Sequence, residues 1–67
     1  MFVELDIVKA KRNLSQLVNE NTIGTIVMIY TDPSIAYEVE FFDGYNNTIE
    51  LLTVKESHIE ILKKWTT

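Results

Sequence analysis

Hydrophobic and polar positions alternate most strictly in Tyr37-Glu38-Val39-Glu40-Phe41, where large apolar side chains take every second place and carboxylates fill the places between. A period of two belongs to a strand with one buried face and one wet face. It predicts a strand over Ile35 to Phe42, with Tyr37, Val39 and Phe41 inward and Glu38 and Glu40 outward. Upstream, Ile23 to Thr31 is rich in β-branched residues and predicts another strand, with Val27 and Ile29 inward. Gly24 lies inside it, where an isolated glycine marks a bulge, a sharp bend or a close backbone approach.

Turn chemistry punctuates the rest. Thr31-Asp32-Pro33-Ser34 joins these two strands: proline presets φ and aspartate accepts backbone hydrogen bonds. Asp43-Gly44-Tyr45-Asn46-Asn47 is a second turn, since Gly and Asn tolerate positive φ. Leu5 to Lys11 predicts a first strand whose parity is open, Leu5 and Ile7 competing with Val8 and Ala10. Asn13 to Thr22 predicts a long loop anchored by Leu14, Leu17 and Val18, or a short helix capped by Asn13 or Ser15. Thr48 to Val54 predicts a fourth strand, Lys55 to His58 a tight turn, Ile59 to Leu62 a short fifth strand, and Lys63 to Thr67 a fraying end.

Five short strands at regular spacing predict an all-β fold, a small barrel, closed or half-open, that removes most exposed edges by curling. Leu52, Val54, Ile59 and Leu62 complete the expected core, with Leu17 and Ile23 plugging one end. The chain has 67 residues, so residues 1–67 form a single domain. A chain of this length buries only about 60% of its unfolded surface, so a partner or a second copy would add stability, and homo-oligomers are compatible with it.

Composition narrows the function classes. A hydrophobic fraction of 46% supports a core. No cysteine is present, which excludes disulfides, thiolate catalysis and cysteine-type zinc sites. No signal-peptide pattern and no span of about 20 apolar residues is seen, so the expected location is cytoplasmic and no membrane partner is expected. Ten acids against six bases give a net charge of -4. That charge disfavours nucleic acid and suits a basic protein partner. Solubility alone explains it equally well.

The order of features resembles a family of small bacterial domains of unknown function, DUF4926. The resemblance rests on Glu4-Leu5-Asp6-Ile7-Val8, Ile23-Gly24-Thr25-Ile26-Val27, Tyr37-Glu38-Val39-Glu40-Phe41 and Leu51-Leu52-Thr53-Val54, nearly the whole chain. It implies an SH3-like barrel and occurrence among toxin-neutralising and immunity proteins. It supplies no catalytic residues. Members show a glycine before the middle block; here Val18-Asn19-Glu20-Asn21-Thr22 stands there, and an asparagine is expected to take the positive φ.

Glu38, Glu40 and Glu50 are expected on the outer face of adjacent strands, with Asp43 at the nearby turn. Such a carboxylate patch engages Lys or Arg of a partner, and against a toxin nuclease it would mimic phosphates. A solvated strand face that discourages aggregation explains the same acids. Tyr30, Tyr45 and Trp65 are the aromatics least needed by the core. Tyr30 and Tyr45 are candidate interface anchors, and Trp65 is a candidate rim residue. Lys9, Lys11, Arg12, Lys63 and Lys64 would form one basic patch if the terminal strands are neighbours, which keeps a nucleic-acid-binding, KOW-like barrel as an alternative. A structural subunit joined by β-augmentation is another.

Glu56, His58 and Glu60 would share a face on a strand, but a surface histidine in a turn is the simpler reading, and no metal site or cofactor is assigned. No nucleophile stands with a base at meaningful spacing, and no glycine-rich phosphate loop exists. The expected protein is therefore not an enzyme. It is an acidic module that binds and neutralises a protein partner, as an immunity protein or antitoxin blocks a basic toxin nuclease.

Overall fold

The computed structural model describes residues 1–66. Five antiparallel strands form one sheet in the order β4-β3-β2-β1-β5. They are β1 (Ile7–Ala10), β2 (Ile23–Tyr30), β3 (Ala36–Phe42), β4 (Thr48–Val54) and β5 (Ile59–Lys63), with a short 3-10 turn at Glu56–His58 between the last two. The architecture is all-β and SH3-like, but half-open. β4 and β5 are the two edges, and no ladder joins them among the described residues.

The alternation in β3 does what its pattern predicts: Tyr37, Val39 and Phe41 are fully buried. Opposed residues share a face of the sheet. Leu52 and Val54 therefore lie under Val39 and Tyr37, and Ile26 joins Val39 from the other side. Val8 and Ala10, not Leu5 and Ile7, are the buried pair of β1. The ring of Phe2 packs edge-on against Tyr37, with centroids 5.3 Å apart. Each fully buried apolar side chain contributes roughly 1.5–3 kcal/mol against staying in water.

Three expectations for the core are corrected. In β2 the ladder skips Val27 between Ile26 and Met28. That extra residue flips the parity, so Ile26 is buried and Val27 is exposed, while Ile29 packs partly against the core. Leu17 and Ile23 do not plug the end: both are exposed, and Val18 and Leu14 fill that place. Leu62 is exposed as well: Ile59 and Ile61 face the buried Ala10 and Val8, so alternation turns Leu62 outward, where the ladder skips it before Ile7–Lys63.

The 13–22 segment contains no helix. The Ser15 hydroxyl accepts the Leu17 and Val18 N–H groups, and Asn13 accepts that of Glu20, so side chains satisfy the loop in place of helical bonds. Asn21 takes a φ of 75°, the role expected of an asparagine there. In the β3–β4 turn the positive φ falls on Asn46, not on Gly44.

The C-terminal segment is tied down rather than frayed through Trp65; Thr67 lies outside the described residues. Asp6, fully buried, accepts the backbone N–H of Trp65 at 2.7 Å, the N–H of Val3 at 2.9 Å and the Lys64 ammonium at 3.0 Å. One carboxylate thus joins both chain ends to the start of β1.

Candidate functional site: the acidic face of the sheet

β3 carries Glu38 and Glu40 outward, on the side of the sheet away from the core. They are two residues apart, about 7 Å along the strand. Glu38 lies between Met28 of β2 and Thr53 of β4; Glu40 lies between Thr25 and Leu51. The Thr53 hydroxyl donates to Glu38, and the Thr48 hydroxyl donates to Glu40. Each carboxylate keeps further acceptor positions open to a partner. Exposed Met28, Tyr30 and Leu51 surround them.

The other expected acids are placed differently. Glu50 is not on that face. It stands opposite Phe41, hence on the inner side, and accepts the Ser15 hydroxyl from the 13–18 loop. Simple alternation puts it there: Val54, Leu52 and Glu50 face Tyr37, Val39 and Phe41 in turn, and the extra residue Ile49 lies beyond Glu50. Asp43 is spent on its own turn, accepting the N–H groups of Tyr45 at 2.7 Å and Asn47 at 3.0 Å. Those N–H groups, Asn47 first, hold its carboxyl below the ordinary 3.8. Asp43→Ala should lower the melting temperature modestly at neutral pH, and the loss should shrink as acid protonates the wild-type carboxyl, a trend that thermal melts across pH will read.

Tyr30 and Tyr45 occupy opposite ends of β3, roughly 20 Å apart. Tyr30 ends β2 opposite Ala36 and shares the outer face with Glu38. Tyr45 stands alone at the turn, 87% exposed. Trp65 lies beside Leu5 and Ile7 over a shallow hollow of about 240 Å³ at the chain ends. A second, open groove of about 490 Å³ runs between the 17–23 loop and the 42–44 turn.

β1 and β5 are neighbours, so Lys9 and Lys63 do reach one face. The basic patch is interrupted, however: Glu60 stands opposite Lys9, and Lys64 is paired with Asp6. Glu56 and His58 sit on a 3-10 turn and Glu60 on β5, so they do not share a strand face. Among the described residues no three His, Asp or Glu side chains converge as metal ligands. Nor, among them, is any helix long and apolar enough to cross a membrane.

Fold and surface together define a small half-open SH3-like domain with a mixed acidic and apolar outer face. Its family follows from comparison: the family described as "Domain of unknown function (DUF4926)" matches residues 4–61, and the chain belongs to it. Comparisons with curated proteins and with solved structures find no match.

Proposed function

We propose that this domain is a protein-binding module whose outer β2–β3–β4 face engages and neutralises a basic protein partner. The observation that carries the reading is the pair Glu38 and Glu40, open to solvent in part and bordered by exposed Met28, Tyr30 and Leu51. Met and Tyr are favoured in interface centres, and carboxylates beside them select a cationic partner and speed its encounter. A toxin nuclease is such a partner, because its active site is built to receive phosphates; the domain would then act as an immunity protein or antitoxin. No catalytic step is assigned to it. The two carboxylates lie on an open face, whereas general acid chemistry draws on a desolvated cleft.

The test is a pull-down from the native host with the wild-type domain and with Glu38→Lys/Glu40→Lys. The wild type should retain a basic protein, and the double variant should bind it at least about tenfold more weakly. Its folding stability should stay within about 1 kcal/mol, since both side chains lie off the core. Equal retention by the two proteins would remove the acidic face from the interface. Lys9 and Lys63, on one face of β1 and β5, support a second reading, nucleic-acid binding, although Glu60 stands opposite Lys9. That reading requires a gel shift with mixed RNA that weakens steeply with salt.

A further inference from the structure

β4 is an edge strand protected at one end only: the bulge at Ile49 and the inward Glu50 guard its start, while Leu51 to Val54 carries no charge and no proline. It runs seven residues, TIELLTV, with no proline and no lysine. Its single charged side chain, Glu50, is turned inward to Ser15. Among the described residues no backbone hydrogen bond outside the β3–β4 ladder involves residues 48–54. Leu51, on the outer side of this strand, is 53% exposed. Natural edges are blunted by short length, charge, proline, a bulge, an inward-pointing charge or a covering segment, and none of these reaches the 51–54 half of β4. The opposite edge, β5, does show them: five residues, with Glu60 and Lys63, followed by Lys64.

Charge is also polarised across the sheet. From Asp32 to Glu56, the stretch that builds β3 and β4, six acids face one base, Lys55. The β1 and β5 side holds Lys9 and Lys63. A strand added beside β4 would lie about 10 Å from β3. Lysine or arginine side chains on its outer face bridge that distance together with Glu38 and Glu40, whose carboxylates lean toward β4 through Thr53 and Thr48. Their alkyl stems would lie over Leu51 and Thr53, and their charged heads would reach Glu40 and Glu38.

We propose that the β4 edge accepts an extended, basic strand of a partner protein by β-augmentation, with cationic residues at alternate positions. This rests on the reading of Glu38 and Glu40 as a partner-binding pair, and it adds a mode and a sequence preference for the partner. Backbone ladder bonds supply affinity, and the alternating side chains supply selection.

The experiment titrates the isotope-labelled domain with a short peptide alternating lysine and valine, and separately with its glutamate–valine counterpart, and follows amide hydrogen exchange. The lysine peptide should slow alternate β4 amides, those that face the open edge, by at least about tenfold at saturation, and the glutamate peptide should not. Glu38→Gln/Glu40→Gln should weaken the lysine peptide while keeping the same protected amides. Spectral changes at Glu38 and Glu40 with β4 exchange unaltered would overturn edge pairing and leave the acidic-face reading intact. Protection of β4 that rises with protein concentration in the absence of peptide would also overturn it, since a second copy would then hold the edge. No response to either peptide would overturn it too, whereas the pull-down judges the acidic face independently.

Discussion

Asp6→Ala should remove about 3 kcal/mol, a large share of the roughly 5 kcal/mol expected of a domain this small. The carboxylate is fully buried and holds three donors from both ends of the chain: Val3, Lys64 and Trp65. Truncation breaks the part-buried hydrogen bonds of two backbone N–H groups and releases the C-terminal segment from β1. The Lys64 side chain is half exposed, so its ion pair is screened and contributes the smaller share.

The same site sets a pH dependence with a definite sign. Burial raises the Asp6 carboxyl, but the N–H groups of Trp65 and Val3 and the Lys64 ammonium outweigh it, and the group lies below its ordinary 3.8. The unfolded chain therefore takes up this proton first as pH falls. Stability from Asp6 is complete above the unfolded value and drains away as pH drops through the lower folded one. Urea denaturation from neutral to strongly acid pH should show that loss in the wild type. Asp6→Asn should begin lower and lose less over the same acid range. An acid limb as steep in Asp6→Asn as in the wild type would assign it to other carboxylates.

Asp6 also shows where sequence reading stops. It sits in an unbroken first-strand pattern between Leu5 and Ile7, and its partners Lys64 and Trp65 are 58 and 59 residues away. Nothing local marks that link, and a terminal Lys-Lys-Trp-Thr-Thr reads as a free end. The β3 face was legible because strict alternation leaves one solution. Ile26 was not, because one extra residue, Val27, inverts the parity of β2 beyond it. A bulge is a property of a strand pair, and a single strand's pattern does not contain it. Glu50 has the parity of Leu52 and Val54, so its inward side followed from the alternation that puts those two in the core. The candidate site accordingly kept Glu38, Glu40 and Tyr30 on one face, while Glu50 lies on the inner side; Asp43 and Tyr45 stand in the expected 43–47 turn, where Asp43 accepts that turn's own N–H groups.

Gly24→Ala should destabilise by about 1–3 kcal/mol, although alanine is ordinarily the better strand residue. The cause is a close approach between β2 and β3, one of the three roles a glycine within a strand can have. A Cβ at position 24 would stand 2.6 Å from Val39 Cγ1, 2.9 Å from the Glu40 carbonyl oxygen and 2.9 Å from Phe41 Cδ1. Val39 and Phe41 are fully buried, so turning away from the new methyl would press them into the core. The Glu40 carbonyl is backbone in β3, opposite Thr25 and next to the pair Gly24–Phe41, so moving it strains the ladder that presents Glu38 and Glu40. Gly44→Ala is the matched control. That position has open space around it and no positive φ, so alanine there should be neutral or stabilise by about 0.4–1 kcal/mol through the unfolded chain. Thermal melts of the two variants separate steric crowding from the general effect of replacing glycine. Equal stabilities would mean that β2 and β3 part without cost. A selective loss in Gly24→Ala, accompanied by weaker partner binding, would tie the packing of this strand pair to the face it displays.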